Sequence, residues 1–133
     1  MDQYSGSERR KSKRIPVDFT VVYQINKPLV VRLMVGTDSE VEAVMLDLSE
    51  GGMSIVTDYN IPSCTVLIMK FILINMDKSR ENRIQKMNIT GLVRYNILTA
   101  NQKHRLGIYF TKIATEDKKA ISDFVKLSLP AKA

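Results

Sequence analysis

Two short polar segments in this sequence carry side chains that suit an anionic guanine nucleotide. Residues 9–14 read Arg-Arg-Lys-Ser-Lys-Arg, and residues 47–52 read Asp-Leu-Ser-Glu-Gly-Gly. Arginine presents a planar fork of donors that matches phosphate oxygens and the O6/N7 edge of guanine. Ionised aspartate only accepts hydrogen bonds, and it therefore suits the N–H donors on the other edge of that base. Together the two segments offer both charge and base recognition.

Each segment also has a simpler explanation. Residues 1–14 contain five Lys/Arg and two acidic residues, a net charge of +3 out of +6 for the chain, and such a basic terminus is often a solvated tail. Asp-x-Ser-x-x-Gly is also typical of a turn whose side chains bond their own backbone. Against a tail, Arg10 and Arg14 lie four residues apart, and Ile15-Pro16 joins them to a predicted strand, so both can point to one place.

The remaining composition excludes several classes of protein. The 133 residues fit one domain with its own core. The single cysteine, Cys64, cannot form an intramolecular disulfide, and we expect a half-buried thiol in a reducing compartment. The first fifteen residues are charged, and no apolar run approaches the roughly 18 residues that span a bilayer. The sequence therefore predicts a cytoplasmic protein without membrane insertion.

The sequence offers little for catalysis or metal binding. His104 is the only histidine, and we expect a structural role for it in a turn. The glycine-rich phosphate loops Gly-x-x-x-x-Gly-Lys-Ser/Thr and Gly-x-Gly-x-x-Gly do not occur in the sequence. A nucleophile with an adjacent base is not evident either. We predict no catalytic residue, no metal, no cofactor and no enzymatic activity.

The hydrophobic pattern predicts β structure around the second segment. Apolar and polar residues alternate over residues 15–25, which is typical of a strand with one buried face. Further strands are predicted at residues 29–35, 41–48, 53–56, 65–74, 87–98 and 105–113. The near-continuous apolar run at 65–74 predicts burial on both faces, and residues 75–86 are predicted to be a charged connection. Six or seven short strands favour a closed barrel or a sandwich.

The two ends of the chain differ from this pattern. Thr115 is a predicted N-cap, and apolar residues then recur at three- and four-residue spacing, which predicts an amphipathic helix over about 116–128. Residues 1–14 have almost no apolar side chain, which predicts a flexible arm in the absence of ligand. The predicted organisation is thus a basic arm, residues 1–14, followed by a barrel domain, residues 15–133.

The order of the two segments resembles the PilZ domain family, whose members bind bacterial cyclic diguanylate (cyclic di-GMP). The family pattern is Arg-x-x-x-Arg followed by Asp/Asn-x-Ser-x-x-Gly, and this chain has Arg10-x-x-x-Arg14 and Asp47-x-Ser49-x-x-Gly52. The resemblance continues through residues 91–95 (GLVRY) and 106–110 (LGIYF) and covers nearly all of the chain beyond residue 8. The chain differs from the family in residues 29–40 and 75–86, and in Tyr95, where many relatives carry tryptophan.

This resemblance implies a fold, a function and a site. The fold would be a six-stranded antiparallel β-barrel with a C-terminal helix. The function would be that of a non-catalytic second-messenger receptor, which binds cyclic di-GMP and changes conformation to regulate a protein partner that the sequence does not identify. The implied ligand-binding residues are Arg9, Arg10, Arg14, Asp47, Ser49, Gly51 and Gly52, with Tyr95 as a weaker candidate.

The resemblance also implies what these residues do. Arg10 and Arg14 would clamp phosphate and contact guanine, Asp47 would accept from guanine N1–H and N2–H, and Ser49 would contact a base or phosphate. The two glycines would let the backbone approach the ligand. In relatives, an arginine at the position of Arg9 tends to accompany two intercalated ligand molecules, so the resemblance implies two cyclic di-GMP per chain.

Two alternative functions remain. A small basic barrel can bind single-stranded nucleic acid, with Tyr95 or Tyr109 stacking on bases. Aromatic residues are sparse and tryptophan is absent, and a nucleic-acid reader would not need Asp47 opposite the arginines, so nucleic acid is disfavoured. The other alternative is a PilZ-like interaction module without a ligand, which we would expect to have lost the arginines.

Overall fold

The computed structural model describes residues 14–36, 40–74 and 84–128. Most of the predicted arm, including Arg9 and Arg10, and most of the predicted connection 75–86 lie outside the described residues. The described part of the chain forms six strands and two helices, in the order β1 (Ile15–Lys27), α1 (Leu29–Val35), β2 (Val41–Leu48), β3 (Gly52–Thr57), β4 (Val66–Ile74), β5 (Ile84–Leu98), β6 (His104–Lys112) and α2 (Thr115–Ser128).

The six strands close into an antiparallel barrel in the order β1-β2-β3-β6-β5-β4. The predicted six-stranded antiparallel barrel is therefore confirmed. Alternation places Val21, Tyr23 and Ile25 of β1 in the core, and each large apolar side chain buried in this way contributes roughly 1.5–3 kcal/mol. The hydroxyl groups of Tyr23 and Thr57 are 2.8 Å apart inside the barrel. Burial raises the pKa of Tyr23 to about 12, because the charged phenolate would lose its solvation in the core.

The strand predicted at residues 29–35 is wrong, because this segment is helix α1. Gly36 ends the helix with a φ of 82°, and its N–H donates to the carbonyl of Arg32, as in a left-handed C-cap. Val31 packs in the core and Val35 packs against it, one helical turn apart. A short apolar run does not distinguish strand from helix by period alone, and the glycine was the signal that the prediction missed. The described residues thus contain two helices rather than the one predicted.

The expected burial of both faces of residues 65–74 is also wrong. In β4 the side chains alternate, with Leu67, Met69 and Leu73 in the core and Ile72 and Ile74 largely exposed. A barrel has one sheet and one core, so each strand has only one buried face. The apolar run therefore leaves isoleucines on the outside.

Cys64 is exposed rather than half-buried. Its φ of 73° is unusual for a residue with a side chain, and its N–H donates to the carbonyl of Val93 at 2.7 Å. This bond connects the segment before β4 to strand β5.

Helix α2 confirms the predicted C-terminal helix. Its buried side chains, Ile121 and Val125, belong to the same core as the barrel. The rings of Phe124 and Phe19 lie 5.7 Å apart between centroids and join the helix to β1. Neither of the described helices has the length and apolarity that a membrane crossing requires.

Candidate functional site

The Asp-x-Ser-x-x-Gly segment forms a tight turn between β2 and β3. The N–H of Ser49 donates to the carbonyl of Gly52 at 2.9 Å, while Ser49 Oγ accepts from the N–H groups of Gly51 and Gly52 at 3.2 and 3.1 Å. The hydroxyl also donates to the carbonyl of Gly52 at 3.3 Å. Ser49 is only 3% exposed, so its hydroxyl serves the turn, as the simpler explanation of this segment expects.

Glycine is required at position 52 by the neighbouring strand. A Cβ on Gly52 would lie 2.2 Å from the carbonyl oxygen of Ile108, far inside van der Waals contact. The turn is also bonded to β6, since the N–H of Phe110 donates to the carbonyl of Gly51 at 2.9 Å. The local sequence therefore fixes where β2 ends, and with it the position of Asp47.

Replacing Ser49 with alanine is expected to lower the free energy of unfolding by about 1–3 kcal/mol. The change leaves two turn N–H groups without their acceptor, and an unpaired buried donor costs about that much. Urea unfolding followed by circular dichroism measures the loss. Ser128→Ala is the control, because Ser128 lies exposed at the end of α2 and its substitution should cost about 0.5 kcal/mol or less. Equal values for the two variants would contradict a structural role for Ser49.

Asp47 points to the outside of the barrel because β2 contains a bulge. Ala43 and Met45 are buried, so strict alternation would direct Asp47 into the core as well. The register shifts between Met45 and Asp47, which pairs Asp47 with Ser54 of β3. Ser54 lies between the core residues Met53 and Ile55, so its side chain is on the outer face of β3, where neighbouring side chains cover it and leave it 0% exposed. The extra residue re-aims the carboxylate, which is a common role of bulges near functional sites.

The Asp47 carboxylate accepts three hydrogen bonds from three different elements. Its Oδ1 accepts from the backbone N–H of Ser54 at 3.1 Å and from Nη1 of Arg14 at 3.0 Å. Its Oδ2 accepts from Nη2 of Arg105 at 3.3 Å. The side chain is 17% exposed. The structure thus brings together Arg14 and Asp47, as the resemblance implied, and adds an arginine from β6.

A second bulge, in β5, aligns Tyr95 across the sheet with Ser54 and Asp47. The register of β5 against β6 shifts between Val93 and Tyr95, so that Tyr95 lies opposite Gly107, which in turn lies opposite Ser54. A Cβ on Gly107 would lie 2.0 Å from Cε2 of Tyr95, which shows that the ring rests directly on this glycine. The hydroxyl groups of Tyr95 and Ser54 are 3.4 Å apart. Tyr95 is 37% exposed, so the ring is partly open to solvent.

We refer to Arg14, Asp47, Ser54, Arg105 and Tyr95 as the Asp47 cluster. Ser54 Oγ links its members, because it also accepts from Nη1 of Arg14 at 3.3 Å. Sequence reasoning found Arg14, Asp47 and Tyr95 but missed Ser54 and Arg105. These two residues belong to no motif, and only the pairing of β3 with β2 and β6 brings them to the carboxylate. In the described part of the chain, no group of three or more His, Cys, Asp or Glu is placed to hold a metal ion.

The fold is similar to several solved structures at low sequence identity. One is Bacillus subtilis Inhibitor of motility (MotI/DgrA), with a TM-score of 0.69 and 17% identity over 90% of this chain and 50% of that one. The PilZ domain of YcgR from Escherichia coli, solved with c-di-GMP, has a TM-score of 0.55 and 12% identity over 90% of both chains. The K. pneumonia MrkH–c-di-GMP complex has a TM-score of 0.59 and 11% identity over 89% of this chain and 50% of that one.

These similarities concern the fold, since the identities are low, and the chain spans about half the length of MotI/DgrA and MrkH. A comparison with functionally curated proteins gives no significant match. The family model for the PilZ domain matches residues 8–127, which include both motifs, all six strands and most of α2. The chain therefore belongs to the PilZ domain family.

Proposed function

We propose that this chain is a non-catalytic receptor for cyclic di-GMP. The observation that carries the proposal is the contact between Arg14 and Asp47, which are 33 residues apart in the sequence and 3.0 Å apart at the barrel surface. Within the cluster, Arg14 offers a cation for phosphate and Asp47 offers an acceptor for the guanine edge. The partly open ring of Tyr95 offers a surface for stacking. Membership of the PilZ family supports this assignment, as does the similar fold of two proteins solved with c-di-GMP.

The charges of the Asp47 cluster suit an anion. Arg14 and Arg105 carry two positive charges and Asp47 one negative charge, which leaves a net +1 before Arg9 and Arg10 are added. A cyclic dinucleotide has two phosphates, and their two negative charges offset most of the net +3 of the cluster and these two arginines. A carboxylate is poorly suited to a phosphate but well suited to guanine N–H donors. The arginines would therefore bind the phosphates, and Asp47 would bind the guanine edge.

The hydrogen bonds of Asp47 suggest how binding changes the conformation. Each carboxylate oxygen has two lone pairs, and Oδ1 already accepts from Ser54 and Arg14. A guanine that donates through both N1–H and N2–H needs a lone pair on each oxygen, so Arg14 must release Oδ1. The phosphates then provide its new partner. We propose that this exchange moves the segment preceding β1 and that a protein partner responds to the movement.

Within this proposal, the turn residues act through the shape of the turn. Ser49 and Gly52 fix the end of β2, and Gly51 allows close approach of the backbone. A direct contact of the Ser49 hydroxyl with a base or phosphate would first require its turn bonds to open.

Isothermal titration calorimetry with cyclic di-GMP tests the proposed function. We expect a dissociation constant between nanomolar and tens of micromolar, which corresponds to about 6–12 kcal/mol. Cyclic di-AMP is the control ligand, because adenine does not offer the paired N1–H and N2–H donors of guanine, and it should bind much more weakly. Absence of binding, or equal binding of the two dinucleotides, would contradict the proposal.

We further propose that each chain binds two molecules of cyclic di-GMP, with Arg9 as the determinant. Two stacked dinucleotides bring about four negative charges into one site, and a further guanidinium offsets their repulsion and can stack on a guanine face. Titration at protein concentrations well above the dissociation constant should give a stoichiometry of two, falling towards one in Arg9→Leu. A value of one for the unmodified protein would refute this stoichiometry and leave the receptor assignment intact.

A further inference from the structure

We propose that Arg105 is a specificity-determining residue of the nucleotide site. It would act as a positioning residue, which keeps the Asp47 carboxylate aimed at guanine after Arg14 has moved to the phosphates. This inference rests on the proposed function, and it concerns a residue outside both PilZ motifs.

Arg105 is placed by β6 on the same side of the sheet as Asp47. It lies two positions before Gly107, so its side chain shares the outward face with the glycine that supports Tyr95. Nη2 is 3.3 Å from Asp47 Oδ2, while Nε is buried and has no acceptor among the described residues. The side chain is 42% exposed. The residue is therefore anchored in a strand and contacts a different carboxylate oxygen from the one that Arg14 contacts.

Counting the lone pairs of Asp47 shows why this contact should persist in the complex. In the structure, Oδ1 accepts from Ser54 N–H and Arg14, and Oδ2 accepts from Arg105 alone. Once Arg14 leaves, each oxygen has one lone pair occupied, by Ser54 on Oδ1 and by Arg105 on Oδ2. The two free lone pairs match the two guanine donors, one on each oxygen. Binding therefore fills the carboxylate completely without disturbing Arg105.

The charge balance leads to the same conclusion. Asp47 is mostly buried, and a buried carboxylate without a cationic partner is costly. In the structure two arginines pair with Asp47, so the loss of Arg105 leaves Arg14 as a partner. In the complex Arg14 is engaged elsewhere, and Arg105 becomes the only arginine of the cluster on the carboxylate. Removal of Arg105 should therefore affect guanine binding more than folding.

The test compares Arg105→Gln with Lys112→Gln, which removes the same charge from an exposed position of the same strand. We expect Arg105→Gln to weaken cyclic di-GMP binding tenfold or more and Lys112→Gln to weaken it less than threefold. Arg105→Lys should recover part of the loss. The preference for cyclic di-GMP over cyclic di-AMP should also narrow in Arg105→Gln, because Asp47 is then no longer held towards the guanine donors. Lost steering of an anion would instead weaken both ligands equally and leave this preference unchanged. Thermal unfolding without ligand checks that each variant is folded.

A double-mutant cycle with Asp47→Asn tests whether Arg105 affects ligand affinity through Asp47. A neutral amide needs no counter-ion, so Arg105→Gln should change cyclic di-GMP affinity less than about twofold in the Asp47→Asn background. Equal effects of Arg105→Gln in both backgrounds, or equal effects of the Arg105 and Lys112 variants, would overturn the inference. Failure of the unmodified protein to bind cyclic di-GMP would instead refute the proposed function, so the two failures are distinguishable.

Discussion

Replacement of Arg14 with alanine is expected to weaken cyclic di-GMP binding by about ten- to a hundredfold. A charge-assisted hydrogen bond contributes roughly 1.5–3 kcal/mol, and each 1.4 kcal/mol is a factor of ten in affinity. The variant no longer has to break the Arg14–Asp47 pair, which offsets part of this loss. Pairs that border solvent contribute about 1 kcal/mol or less, so the lost ligand contacts should dominate.

Calorimetric titration measures the effect of Arg14→Ala directly. Lys126→Ala is the matched control, because it removes one positive charge from an exposed position on α2. If lost net charge were the whole cause, both variants would weaken binding equally. Arg10→Ala should behave like Arg14→Ala if both residues of the motif bind the ligand. Unchanged affinity in both arginine variants would rule out the proposed site.

The second large effect is on folding, where Gly52→Ala should lower the free energy of unfolding by about 2–4 kcal/mol. The new methyl group meets a backbone carbonyl, that of Ile108, rather than a side chain that could rotate away. Overpacking of this kind typically costs about 1–3 kcal/mol, and more where the backbone must move. Strands β3 and β6 would separate locally, and the turn that holds Asp47 would shift.

Denaturant unfolding of Gly52→Ala can be compared with that of Gly36→Ala. A methyl group at position 36 would meet no neighbouring atom within 4 Å, but the φ of this residue is +82°, so alanine there should cost roughly 1 kcal/mol through backbone strain alone. A larger loss at position 52, or failure of that variant to fold, agrees with the steric argument. A smaller loss at position 52 than at position 36 would contradict it.

The barrel and its C-terminal helix were predictable because their patterns are simple. Period-two alternation in β1 and three- and four-residue spacing in α2 each match one element type. Helix α1 was not predictable from the same rule, since a seven-residue apolar run fits a strand as well as a helix. In that segment the C-cap at Gly36 and the burial of Val31 favour the helix over a strand.

The candidate site was predictable only in part. The motifs identified Arg14 and Asp47, but simple alternation would have directed both Asp47 and Tyr95 into the core. Two bulges, one before each residue, reverse that direction. The contacts of Ser54 and Arg105 depend on strand register, which follows from the closed barrel as a whole. A sequence pattern contains the residues of this site but not the bulges and pairings that assemble it.

The exposed position of Cys64 affects how the stoichiometry of this protein should be measured. It is the only cysteine in the sequence, so two molecules can join through one disulfide in air. This covalent dimer would then be mistaken for a non-covalent dimer. Titrations and sedimentation measurements should therefore contain a reductant. The same thiol accepts a single maleimide dye, and its bond to Val93 places that dye two residues from Tyr95 along β5. Fluorescence from this one position should report ligand binding without any engineered cysteine.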